Sequence, residues 1–123
     1  MTLEVVKNLR KAADLIEIPG KFIRGTQDDG KGRYCALGAI GRAKGGRYGY
    51  DNDPEVKALA LMCPEPDKMP KDTYNFGSHN GASRVVARFN NMVARDGADV
   101  ACRMRAAADW VEASDGEVLN GVE

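Results

Sequence analysis

The chain has 123 residues, 43% of them hydrophobic, which suits one domain whose core buries about two-thirds of the unfolded surface. Its 18 basic side chains balance 18 acidic ones, so no net field draws the molecule to nucleic acid or to a membrane. No apolar run reaches the length of a membrane span and the opening MTLEVVKNLRKAADLIE lacks a signal-peptide core; a cytoplasmic protein with no membrane partner is expected.

Thr2 can cap a first helix in which Val5, Leu9, Ala12 and Ile16 share one face, with Val6 and Ala13 beside them. Arg10 and Asp14 are spaced to pair one turn apart on its outer side. Pro19-Gly20 ends this helix, and residues 21–33 read as a short extended piece followed by a polar loop turning at Asp29-Gly30. A second helix is expected from about Tyr34 to Lys44, stopped by Gly45-Gly46. It carries Cys35, Ala36, Gly38, Ala39 and Ala43, almost without bulk, and Gly38 and Gly41 each cost it about 1 kcal/mol against alanine. Such a cost implies close packing or a site.

Residues 47–52, RYGYDN, form a loop, after which Asp53 caps a third helix with Pro54 in its first turn. From Pro64 to Gly81, with Pro66 and Pro70 between them and few aliphatics, the chain reads as a long irregular loop. Two more helices follow, Ser83 to Arg95 and Asp99 to Ala113, parted by Asp96-Gly97; Asp96 and Asp99 are spaced like a capping box. The last helix directs Val100, Met104, Ala107, Ala108 and Val111 inward with Trp110 at its edge, and Phe89, Met62 and Met92 are also assigned to the core. The tail frays from about residue 115. The expected fold is mainly α: a single small bundle of about five helices with a long irregular loop, one domain over residues 1–123.

The run Gly25-Thr26-Gln27-Asp28-Asp29-Gly30-Lys31 has the spacing of a phosphate-binding loop. Gly32 stands where a magnesium-binding Ser or Thr belongs, and two aspartates occupy the cradle, so that reading is rejected. Cys35 lies near a helix start, where the dipole favours a thiolate and Arg33 adds to the effect. With His79, the chain's one histidine, and Asn75 or Asn80, it makes up the parts of a papain-like site, hence the alternative of a Cys35/His79-dependent hydrolase or transferase. That geometry usually holds its histidine on a sheet, and no sheet is patterned here. A small buried cysteine inside a helix bundle is the plainer explanation.

Lys31, Arg33, Arg42, Lys44 and Arg47 fall between residues 30 and 50 with no acid among them, and Arg84 and Arg88 lie one turn apart with Arg95 on a nearby face. The candidate binding residues are therefore Arg33, Arg42, Lys44, Arg47, Tyr48, Tyr50, Arg84 and Arg88, an edge for an anion on which Tyr34, Tyr48 and Tyr50 could stack a base. A solvated face paired with Asp51 and Asp53 explains them more simply than nucleic acid does. Cys35, Cys63 and Cys102 lack Cys-x-x-Cys spacing and are expected to be reduced; with a lone histidine they make no metal site, and no cofactor is implied.

Leu9 to Glu17 (LRKAADLIE) and Cys35 to Ile40 (CALGAI) resemble the opening helix and the Cys-Ala-x-Gly-Ala signature of a family of small domains of unknown function. That family occurs mainly in actinobacteria and their phages and plasmids. Phe89-Asn90-Asn91 stands where its aromatic-Asn-Asp motif falls, departing at Asn91. If that acid served catalysis or charge pairing, the role is lost here, whereas an amide keeps a structural one. The resemblance implies no activity, substrate or cofactor; it implies an accessory protein of a phage or mobile element. The expectation is a non-enzymatic binding protein that engages a host protein, its own copy or an anionic ligand through the edge at residues 41–50 and the Pro64–Gly81 loop. Binding of nucleic acid or a signalling nucleotide is the further alternative.

Overall fold

The computed structural model of the chain describes residues 2–46, 49–50, 52–63 and 81–114. These form five α-helices: α1 (Thr2–Ile16), α2 (Ala36–Ala43), α3 (Pro54–Met62), α4 (Gly81–Arg88) and α5 (Gly97–Ser114). The described residues contain no strand, only isolated bridges from Tyr34 to Phe22 and to Asp28, so the fold is mainly helical as the periodicity predicts. Nearly all of the expected long loop, residues 64–80, and the tail, residues 115–123, lie outside the described residues.

The longest helices, α1 and α5, make the most extensive pairing. Val5, Val6, Leu9, Ala12, Ala13 and Ile16 of one meet Val100, Ala101, Met104, Ala107, Ala108 and Val111 of the other, all buried. Each larger aliphatic there contributes about 1.5–3 kcal/mol by leaving water, and the alanines let the backbones approach. At the α5 start, Gly97 lies so close to the Ile16 carbonyl that a β-carbon would collide with it. Along the edges of this seam Arg10 pairs with Asp109 and Glu112, and Arg105 with Asp14 and Glu17. The expected Arg10–Asp14 pair within α1 is thus replaced by contacts across the seam, where each arginine meets two carboxylates at once.

α2 is central. Every residue from Cys35 to Gly41 is buried, as a helix apolar on all sides must be. Gly38 answers the question its helix cost raised: the Gln27 carbonyl occupies the place a β-carbon would need. Close packing by the loop explains the glycine.

Helix starts are only partly as expected. Asp96 accepts the Asp99 N–H at 2.9 Å while the Asp99 carboxylate accepts the Arg95 N–H at 3.0 Å, a reciprocal cap at the entry to α5. Asp53 does occupy the cap position of α3, but it makes no side-chain cap bond. Its carboxylate instead accepts the Tyr50 N–H at 3.1 Å and lies 3.2 Å from the Lys44 ammonium, a charge-assisted contact that the helix N–H groups do not match.

The largest departure follows α4. A regular helix is expected to Arg95, yet after Arg88 the chain widens into a π-helical turn, Phe89–Val93, closed by the Ala94 N–H on the Phe89 carbonyl at 2.8 Å. In the period set by Val85, Val86 and Phe89, residue 93 would face the core. The wider turn takes up one extra residue, so Asn90 and Ala94 are buried and Met92 and Val93 swing outward. Met92, assigned to the core by its side chain, is 70% exposed. No helix among the described residues is long and apolar enough to cross a membrane.

Candidate functional site

The π turn is held by two adjacent amides. Asn90 is wholly buried, and its Oδ1 accepts the N–H of Ala36, the first residue of α2, at 2.9 Å. Its Nδ2 donates to the Ile23 carbonyl at 3.2 Å and to Asn91 Oδ1 at 3.0 Å. The same Asn91 oxygen accepts the Gly25 N–H at 3.0 Å. A remote side chain therefore caps α2, a task the adjacent Cys35 side chain does not perform. The two amides tie the loop before α2, the start of α2 and the end of α4 into one unit.

Arg24 adds a third tie. Its Nη2 donates to the Ala94 carbonyl at 2.6 Å and to that of Arg95 at 3.3 Å, while the guanidinium lies 4.9 Å from the centre of the Phe22 ring. Nearby, Arg88 Nη1 reaches the Met92 sulfur at 3.3 Å, and Arg84 stands one turn earlier on α4. The Arg95 side chain is 87% exposed and, among the described residues, its one ion-pair partner is Asp99, at 3.9 Å. Among the described residues no carboxylate lies within ion-pair distance of Arg24, Arg84 or Arg88. The outcome is a surface on which Met92 and Val93 are exposed beside Arg88, with Arg24 and Arg95 at the junction that follows and Arg84 one turn back on α4.

The glycine-rich loop uses its own donors. Asp28 accepts the Gly30 N–H, and Asp29 accepts those of Lys31 and Arg33. The Arg33 side chain bonds Asp29 at 2.5 Å, and mainly for that reason, with help from those two N–H groups, the Asp29 carboxyl is lowered to about 2. Carboxylates fill the place where a phosphate cradle would present free N–H groups, in agreement with rejecting that motif.

The predicted binding residues do not assemble into one edge. Arg33 is held by Asp29, and Arg84 and Arg88 belong to the π-turn surface. Arg42 is exposed on the last turn of α2, and Tyr50 is exposed with its N–H on Asp53. Lys44 lies at the opposite end of α2 from Asn90, 3.0 Å from the almost wholly buried Glu55. Asn8 donates to the second Glu55 oxygen at 2.8 Å, and a cleft of about 400 Å³ opens beside this corner. Burial works against the Lys44 charge, but the hydrogen bonds and fields of Glu55 and Asp53 outweigh it and raise its pKa. Lys44 ties α1, α2 and α3 together internally. Arg47, Tyr48 and His79 lie outside the described residues.

Cys35 is 5% exposed. Burial pushes its thiol pKa up, and the N–H groups of Gly38 and Leu37 only partly oppose this, so the thiolate that a nucleophile needs is disfavoured. Loss of solvent likewise pushes the Cys63 thiol up to about 12 against a weak pull from Arg103, whereas Cys102 is exposed on α5. Among the described residues no three His, Cys, Asp or Glu side chains gather as a metal site would require.

Sequence reasoning passed over Arg24 and Val93 and placed Met92 inside. The one available signal was the pair Asn90-Asn91, polar where a helix period next to Phe89 has room for apolar residues.

A model of DUF6197, a family of unknown function, matches residues 1–109, and the chain belongs to that family. No curated protein and no solved structure matches it.

Proposed function

We propose that this member of DUF6197 is a non-enzymatic binding protein, an accessory factor of a phage or mobile element, which engages an anionic partner through the surface around the π turn. One observation carries the reading: Met92 and Val93 are exposed next to Arg88, with Arg24 and Arg95 at the junction that follows them. Met and Arg are enriched at protein interfaces, and π turns recur at functional sites. The Asn90–Asn91 clamp supports this, because a surface held by buried hydrogen bonds loses little entropy on binding. The basic edge first expected at residues 41–50 is a weaker candidate, since Lys44 serves an internal ion pair.

The test is paired. Arg88→Glu with Arg95→Glu is expected to abolish partner capture from host extract while the melting temperature stays within the scatter of the unsubstituted chain. In native protein, iodoacetamide should label Cys102 and spare Cys35. Undiminished capture removes this surface from consideration, and fast native labelling of Cys35 returns the Cys35/His79 alternative.

A further inference from the structure

We infer that the partner is a protein segment that alternates aliphatic and acidic side chains, in the manner of one face of an acidic amphipathic helix. The inference rests on the binding reading above and names what that surface takes. Its centre is apolar, Met92 at 70% exposure with Val93 beside it, and its border is cationic. Arg88 is already drawn against the Met92 sulfur at 3.3 Å, so an aliphatic group seated on Met92 brings its neighbouring carboxylates to Arg88. On the other border the Arg24 guanidinium is fixed by the Ala94 and Arg95 carbonyls and leaves its remaining edge for an acid, while the exposed Arg95 is free to swing onto one.

Other occupants fit less well. A nucleic-acid strand needs exposed rings on which bases stack. Among the described residues, the Phe22 face is covered by Arg24, Tyr34 is half-buried between two bridges, and the exposed Tyr50 stands beside Asp53, an acid that repels phosphate. A second copy meeting face to face would set arginines against arginines. A second copy offering its α1–α5 seam would offer carboxylates already bonded to Arg10 and Arg105. A small anion would need convergent donors, and the loop N–H groups of Gly25, Gly30, Lys31 and Arg33 are already held by Asn91, Asp28 and Asp29.

Fluorescence anisotropy on the full chain decides it, with three labelled probes. The first is a peptide with leucines along one helical face and glutamates on both borders; the second is a scramble of the same composition; the third is a single-stranded oligonucleotide. The patterned peptide is expected to bind, Met92→Ser to weaken it about tenfold, and Arg88→Glu with Arg95→Glu to weaken it further. Because Met92 is exposed, Met92→Ser should melt as the unsubstituted chain does. Oligonucleotide binding that the arginine changes remove and Met92→Ser leaves intact would overturn the inference and preserve the binding surface. Equal binding of patterned and scrambled peptides would do the same. Failure of all three probes would overturn both.

Discussion

Arginines occupy two regions of this molecule under opposite conditions. On the α1–α5 seam, Arg10 and Arg105 each meet two carboxylates across the seam, from the facing helix or the residue just past its end, at 2.7–3.0 Å. Around the π turn, Arg24, Arg84 and Arg88 meet none among the described residues, and Arg95 has one distant acid. A net charge of zero conceals this difference. Whether an arginine closes the fold or faces outward depends on the register of the opposing helix, because one turn of offset moves a carboxylate out of reach. The seam is a finished interface, and the π turn has the charge pattern of an unfinished one.

The change that should most disturb the contrast is Asn90→Ala. It leaves the buried Ala36 N–H without its partner, at about 1–3 kcal/mol for an unsatisfied group, and removes the donor to the half-buried Ile23 carbonyl as well. It also frees the loop that carries Arg24, so stability and binding should fall together. Urea unfolding should show a lower midpoint with an unchanged slope. A midpoint equal to that of the parent would mean that water or a shifted backbone replaces the amide, and the clamp would lose its standing as the support of the surface.

Arg105→Gln sharpens the contrast from the other side. It should lower stability slightly, because the seam pairs are exposed and solvent screens them, and leave binding untouched. The pH response has a definite sign. Glu17 has its pKa lowered from 4.5 chiefly by its hydrogen bond from Arg105, so the contribution of this pair is present above pH 4.5 and fades as pH falls through the lowered value. Thermal melts across that range should show the unsubstituted chain converging on Arg105→Gln in acid. Parallel curves would show that the seam pair adds nothing to stability.

Much of the scaffold was legible because burial follows period. The inward faces of α1 and α5 and the Asp96–Asp99 cap follow from residue type and spacing, while Gly38 signalled close packing or a site and only the Gln27 carbonyl decides between them. The site was less so. Val93 continues the period of Val85, Val86 and Phe89 as well as Ala94 does, and the choice between them is made by Asn90, whose reason for facing inward is an N–H more than fifty residues earlier. Glu55 illustrates the same limit: in the first turn of a helix an acid reads as an exposed complement to the dipole, and only the arrival of Asn8 and Lys44 accounts for its burial. Non-local partners decided both.

The smallest expected effect bears on Asn91, the second amide of the clamp. Among the described residues Asn91 bonds through its Oδ1, accepting from Gly25 N–H and from Asn90 Nδ2. An aspartate supplies the same oxygen with charge assistance, and Arg24, which crosses the same junction between loop and turn, is a cation for it to face. Asn91→Asp should therefore leave the melting temperature near that of the parent or raise it slightly, while Asn91→Leu, which removes the acceptor, lowers it. On this account an aspartate at position 91 would serve as a hydrogen-bond acceptor and need no chemical duty. If Asn91→Asp instead destabilised the chain as much as Asn91→Leu does, the amide nitrogen would matter, and the two residue types would not be interchangeable at this turn.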